Sequence, residues 1–352
     1  MNSICSAGRR LAAVSFLILS LARFLQAGES PFQEPLSSTL AQGIQLYREE
    51  KYKEAVGVLK SATKQQANNP EAWHYLGMAQ IAVGDSKAAT KSFRQAIKLR
   101  PDFAAPRIGL ASLLVRAGKL RDAAHEAEQA RINEPQNKDA HYIVAEVRLS
   151  EGNPKEALAA IDTAIKLDGN FQEAWLLKSL AWVGLFRKEV SEHRKNQDSK
   201  LSGRQDYDPY KHLKESAVSL EMYLNLNQSP AEKAFWNEQL ETMRFYAKWS
   251  EGRKNSPKIQ PMDISLRPTI TYKERAQYTP EARAAGIVGA VEMMVVYQDD
   301  GQIKHILVLQ GLSHGLTPQA VRAARRIKFI PAVKDGKPVS VVGRIEFNFS
   351  LY

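Results

Sequence analysis

Cysteine is nearly missing from this chain, since Cys5 is the only one in 352 residues. No disulfide can close within the chain, and no thiol nucleophile stands beyond position 5. The seven histidines, His74, His125, His141, His193, His212, His305 and His314, include no His-Glu-x2-His spacing and have no cysteines to complete a zinc set. A Gly-rich phosphate loop after a strand and a Gly-x-Ser-x-Gly elbow are missing as well. No catalytic residue, cofactor or metal ligand is nominated, and a non-enzymatic role is expected. Long apolar runs are also scarce. Residues 11–22 form one of only 12 residues, against the roughly 20 that a membrane-crossing helix needs.

Nor does the charge gather in one place. The net charge of +11 divides as +2 over residues 1–30, +2 over 31–185, +3 over 186–260 and +4 over 261–352. A nucleic-acid binder concentrates its excess on one face, so no nucleic-acid partner is expected. Arg322, Arg325, Arg326 and Lys328 read as a solvated helix face. At the front, Arg9 and Arg10 precede the short apolar run, and Ala27 offers a small residue for cleavage. Residues 1–27 therefore read as a secretory signal, and Cys5 would leave with it. The alternative is an uncleaved inner-membrane anchor through residues 11–25, and only then would the chain touch a membrane.

What is abundant is repetition, with a period of 34 residues. Small residues recur at Gly43, Gly77, Ala111, Ala145 and Ser179. Alanines recur at Ala55, Ala89, Ala123 and Ala157, and again at Ala62, Ala96, Ala130 and Ala164. Leu59, Phe93, Ala127 and Ile161 form an apolar ladder; Gly84, Gly118 and Gly152 mark a recurring turn; Pro101, Pro135 and Gly169 mark recurring ends. The period predicts pairs of helices in units of about 36–69, 70–103, 104–137 and 138–171, with a fifth opening at Trp175. A pair this short cannot bury its own apolar face, so the units must stack. Trp73-x2-Leu76-Gly77, followed by Ala89, Phe93, Ala96 and Pro101, resembles the tetratricopeptide repeat family. The expected packing residues are Trp73, Gly77, Ala89, Phe93, Ala96, Ala123, Ala130, Ala157 and Ala164. Such a solenoid implies a groove that holds a peptide, although the positions at 34-residue steps from Lys53 spell no charge code.

The ladders then break. Repeats are expected over 36–187, a polar loop over 188–209, terminal and capping helices over 210–250, and a linker over 251–267. In the capping helix, Trp236, Leu240, Met243 and Ala247 share a stripe that reads as packing. Residues 268–352 change pattern. Thr279-Pro280 starts a short helix, strands are expected over 287–297 and 303–310 around an Asp300-Gly301 turn, and Thr317-Pro318 caps a helix. In the last strand Val339, Val341, Ile345, Phe347, Phe349 and Leu351 alternate with polar residues, which predicts one packed and one wet face.

Tyr278-x-Pro280, Ala282-Arg283, Gly286-Ile287-x-Gly289-x-Val291, Lys328-Phe329-x-Pro331-Ala332 and Asp335-Gly336-Lys337-Pro338-Val339 resemble the TonB C-terminal domain family. The whole is thus expected to be an all-α repeat solenoid followed by a small α+β domain with an antiparallel sheet. The resemblance implies a Gram-negative-type periplasm and strand addition, in which a partner segment pairs beside the last strand. The residues it assigns to that edge are Val341, Arg344, Glu346 and Asn348, with Gln277 and Tyr278 near the docking end. Thr279 departs from the family's Tyr-Pro, and residues 11–25 hold no histidine, so docking is implied more than energy transduction. The expected role is an envelope scaffold or adaptor. Two alternatives are a TonB-type transport component that contacts outer-membrane receptors and a structural protein bound to peptidoglycan.

Overall fold

The computed structural model describes residues 38–197, 208–227, 229–254 and 265–351. The expected signal (1–27) and parts of the expected loop (198–207) and linker (255–264) lie outside them. Helices α1 (Ser38–Arg48), α2 (Tyr52–Gln65), α3 (Pro70–Ala82), α4 (Ser86–Leu99), α5 (Ala104–Arg116), α6 (Leu120–Asn133), α7 (Lys138–Ser150), α8 (Pro154–Leu167) and α9 (Gln172–Gln197) follow one another as antiparallel pairs. The chain divides into two compact units after Lys178, inside α9.

In the N-terminal unit the second helices begin at Tyr52, Ser86, Leu120 and Pro154, in step with the period. Both alanine ladders are fully buried. In the first two units the small-residue ladder lies against the apolar ladder. Gly77 faces Phe93, and a Cβ on Gly77 would lie 2.6 Å from the Phe93 ring; Gly109 of the next unit closes on the same ring at the same 2.6 Å. Gly43 meets Leu59 in the same way, whereas Ala111 and Ala127, both buried, share that level of the third unit. Small opposite large lets the helix backbones approach without leaving a void.

A further ladder holds the pairs in register. Trp73 Nε1 donates to Ala67 O at 2.8 Å and Trp175 Nε1 to Gly169 O at 2.9 Å. At the two positions between them, Arg107 donates from Nε (3.1 Å) and Nη2 (2.8 Å) to Pro101 O, and His141 Nε2 meets Pro135 O at 2.8 Å. Four donors spaced by 34 residues thus tie each first helix to the carbonyl six residues upstream. At the turns, Gly84, Gly118 and Gly152 adopt φ of +86°, +69° and +77°, the left-handed region that glycine enters freely. The matching place in the first unit holds Glu50 at φ +60°.

The C-terminal unit joins the end of α9 to α10 (Lys211–Leu226), α11 (Pro230–Lys254), β1 (Thr269–Tyr272), α12 (Pro280–Ala284), β2 (Gly289–Tyr297), β3 (Ile303–Gln310), α13 (Leu316–Arg325), β4 (Lys328–Ile330), β5 (Ala332–Lys334), β6 (Lys337–Val339) and β7 (Val341–Phe349). The main sheet is antiparallel in the order β3-β2-β7, while β1 pairs with β4 and β5 with β6. The β5–β6 hairpin turns on Asp335 (φ +51°) and Gly336 (φ +76°), both in the left-handed region that a tight hairpin uses.

Several expectations are corrected here. Helix α9 continues to Gln197, ten residues into the expected loop, because Lys, Glu, Arg and Gln favour helix over coil. Val339 belongs to β6, so the last strand starts at Val341, and Leu351 is 40% exposed. Helix α13 is capped by Gly315 at φ +79°, and the Thr317 hydroxyl instead bonds to Leu312 N and O, each at 2.8 Å. The basic face of α13 is partly paired, Arg325 with Glu238 and Arg326 with Glu274.

The largest correction concerns the wet face. Val291, Met293, Val295 and Tyr297 of β2 pack with Leu316, Ala320, Val321 and Ala324 of α13. On the other side of the strands, Met294, Val296, Leu307 and Leu309 are buried too. That second face meets helices. Arg187 of α9 forms two bonds to Glu292, at 2.7 and 2.8 Å, and Phe245 of α11 stacks on His305 with ring centres 3.6 Å apart. Helix α11 is therefore not a terminal cap with a polar outer face, since Gln239, Thr242 and Tyr246 on it are all buried.

Gly77→Ala should destabilise the fold by about 1–3 kcal/mol, the usual cost of overpacking. The cost should shrink in a Phe93→Leu background, and thermal melts of the double-mutant cycle measure that coupling. Glu50→Gly should stabilise by roughly 0.5–1 kcal/mol, because it removes left-handed strain but frees the unfolded chain. A lower melting temperature for this variant would contradict the account of the turn.

Candidate protein-binding surfaces

The first surface is the outer side of β7. Among the described residues, β7 pairs only with β2, in unbroken register from Gly289↔Phe349 to Tyr297↔Val341. Lys273 Nζ donates to Glu346 O at 2.6 Å, so that carbonyl faces away from β2. The far edge agrees. Ile306 O and Val308 N face outward from β3, which turns Leu307 toward its partner Met294. The alternation of an antiparallel ladder then directs the odd residues of β2 to the odd residues of β7. The even-numbered residues of β7 thus turn their N–H and C=O away from β2, toward the sheet's margin.

The structure brings Arg344, Glu346 and Asn348 to that edge; Glu346 and Asn348 are exposed and Arg344 is half-buried. Val341 is not among them. It has the opposite parity, its backbone turns to β2, and its side chain packs on the domain core. Tyr278 lies at the other end of β7, where its ring meets Phe349 edge-on at 5.4 Å and its hydroxyl donates to Ile287 O. Gln277 beside it is exposed. Gly343, where the strand's pattern breaks, lies under the Tyr297 ring; a Cβ there would come within 2.5 Å of it.

The second surface is the inner face of the repeats. The first helices pack on one another, α3 on α5 and α5 on α7, which is how the inside of a solenoid curve is built. On α7 and the start of α9 this face carries Asp139, Tyr142, Glu146 and Glu173. Burial pushes the Asp139 carboxyl up to about 7, with Lys138 opposing and Glu173 and Asp168 adding to the rise. Burial likewise lifts Glu146 to about 7 against Arg116. The Tyr142 hydroxyl is driven well up by burial and then by Glu146, Glu173 and Asp139. Glu71, Asp139 and Glu173 fall in phase with the 34-residue period, a signal that counting from Lys53 does not reach.

The histidines do not gather. His74 is buried among Tyr75, Phe93 and Phe103, where burial and then Arg100 lower its pKa to about 3. His141 serves the register ladder, and His212 stacks on Trp182 beside Glu189, 3.0 Å away. Among the described residues no group of acidic or histidine side chains could hold a metal. No described helix is long and apolar enough to cross a membrane.

These surfaces belong to interaction domains. Residues 70–103 and 108–182 match tetratricopeptide repeat models, and residues 274–351 match the model of the Gram-negative bacterial TonB protein C-terminal. The chain therefore carries tetratricopeptide repeats followed by a TonB C-terminal domain, which is a domain of the Gram-negative envelope. Among curated proteins, DnaJ homolog subfamily C member 3 of Gallus gallus is 24% identical over 139 residues. That match spans 40% of this chain and only 27% of the relative's length. Solved structures of similar shape include TTC0263, a thermophilic TPR protein of Thermus thermophilus, at 18% identity and a TM-score of 0.43 over 59% of this chain and 97% of that one. Pseudomonas aeruginosa pilF follows at 12% identity, with a TM-score of 0.45 over 62% and 90%. The pilus biogenesis factor PilW is 15% identical, with a TM-score of 0.46 over 62% and 89%.

The raised carboxyls fix a pH dependence. Glu146 titrates near 7 in the folded chain against its ordinary 4.5, so folding favours its acid form. Its contribution is complete below about pH 4.5 and is lost as pH rises through 7. Glu146→Gln should accordingly raise the melting temperature at pH 8 and leave it nearly unchanged at pH 4.5. An equal shift at both values would remove the burial account.

Proposed function

We propose that the protein is an exported envelope scaffold that holds one protein partner in the groove of its repeats and adds a strand of a second partner to β7. The observation that carries this reading is the outer edge of β7, with the backbone of Glu346 and Asn348 turned outward. A partner in extended conformation can take those groups as a neighbouring strand would, main chain giving affinity and alternate side chains giving selectivity. The edge is lightly guarded by Lys273, whose ammonium caps Glu346 O and lies 4.6 Å from the centre of the Phe347 ring. An incoming N–H replaces that contact and frees the charge for the partner. In the groove, Asp139, Glu146 and Glu173 suit a segment bearing a basic side chain, which would draw the raised carboxyls of Asp139 and Glu146 into their charged form.

A photoreactive residue in place of Asn348 should capture a discrete envelope protein. Glu346→Pro removes an outward N–H without breaking a bond to β2, and it should weaken capture at least about tenfold, roughly 1.4 kcal/mol. Glu346→Ala keeps the backbone and should bind nearly as the parent does. Equal loss in both variants would show that a side chain, not strand addition, carries the contact. Capture that the Pro leaves intact would dismiss β7 as the docking edge.

A further inference from the structure

The sheet's other outer strand, β3, does not have a bare edge. Gln239 of α11, 1% exposed, donates from Nε2 to Ile306 O at 3.1 Å, and its Oε1 accepts from Val308 N at 2.9 Å. Those two groups flank Leu307, and they are the pair that one residue of a parallel neighbouring strand would engage. A side-chain amide thus supplies the donor and the acceptor that one residue of an absent strand would. Two turns along the same helix Tyr246, fully buried, donates its hydroxyl to His305 O at 2.8 Å. His305 has φ +49° and lies where the β2–β3 register slips between Met294 and Val296. Phe245 stacks flat on its ring.

Unpaired strand edges are templates for pairing with other chains. The β3 stretch Ile306-Leu307-Val308-Leu309 has the uncharged, β-favouring character that makes such pairing strong. We propose that α11 is an edge guard: Gln239 and Tyr246 occupy the outer edge of β3 in place of a strand, and what they exclude is β3 of a second copy of this chain. A symmetric antiparallel pairing of two β3 edges would be self-complementary, as a two-fold contact requires. The device leaves the sheet one usable edge, and it works whatever β7 binds.

Gln239→Glu tests this in the full chain. A carboxylate can accept from Val308 N but has no proton for Ile306 O. When protonated it can make both bonds, and burial raises the pH at which that happens. When ionised, the buried carboxylate lies against Ile306 O, two acceptors facing each other, and should leave the edge. Exchange of the Val308 amide with deuterium, corrected for its intrinsic rate, should therefore be at least about tenfold faster than in the parent at pH 8. Sedimentation should show concentration-dependent association beyond the parent's state, and both effects should reverse on acidification. The parent should show neither. Gln239→Met keeps the length but no polar group, so it should open the edge at every pH. Unaltered Val308 exchange in both variants would overturn the proposal. So would an open edge with no added association at about 100 µM, since the amide would then be packing alone. Far-UV circular dichroism matching the parent's keeps either result from being read as unfolding.

Discussion

Val291, Met293, Val295 and Tyr297 project from one side of β2, and Met294 and Val296 from the other, so this strand needs cover on both faces. Helix α13 supplies one cover and the helices at the end of the α-helical region supply the second. Most of the C-terminal unit's arrangement follows from that need. Arg187 can reach Glu292 because the helices lie on the sheet. Helix α11 runs past β3 and closes its edge, while β7, at the opposite margin, turns its backbone groups outward. A free-standing sheet with one wet face would have had two bare edges and no reason to favour either.

The N-terminal unit rests on a different economy of space. Two helix pairs set a glycine against a large side chain, Gly43 against Leu59 and Gly77 against Phe93, whereas the third unit places two alanines, Ala111 and Ala127, at that level. The register ladder treats chemistry in the same way. Tryptophan, arginine, histidine and tryptophan occupy one position, and each delivers an N–H to the carbonyl six residues earlier. Position demands a donor, and side-chain identity is otherwise free. This leaves the inner face to vary, and there the acidic set on α7 and α9 departs from the preceding unit, where Ile108 and Ser112 stand at the levels of Tyr142 and Glu146.

Periodicity made the repeats legible, because a period of 34 is written directly into the sizes of successive residues. The second domain was legible from its Gly, Pro and Asp-Gly blocks, which fix turns locally. What sequence could not display was how α11 meets the sheet. Gln239 reaches β3 across 67 to 69 residues, and nothing in a lone Gln on a helix stripe announces an edge. One warning was present: Val291-Glu292-Met293-Met294-Val295-Val296-Tyr297 hardly alternates, and near-continuous apolar strands are those buried on both faces. Taking the cleaner alternation of β7 as the rule for the whole sheet hid it. Arg107 was missed for a related reason, since size ladders do not detect a donor that changes residue type.

The two edges of the sheet show how backbone parity sets which groups a margin displays. Lys273 touches Glu346 O and Gln239 touches Ile306 O and Val308 N, so both margins point away from β2 at known residues. Shifting β7 by one residue would turn its outward groups to β2 and carry Ile345, Phe347 and Phe349 to the opposite face of the sheet. The core contacts of those three side chains therefore lock which N–H and C=O groups the edge displays. On β7 the outward positions Arg344, Glu346 and Asn348 carry polar side chains, set apart from the core residues between them. On β3 the outward groups lie in an apolar run, where exposure would invite self-pairing, and there a buried amide closes the edge. The same alternation that packs the core thus decides which backbone groups each margin displays.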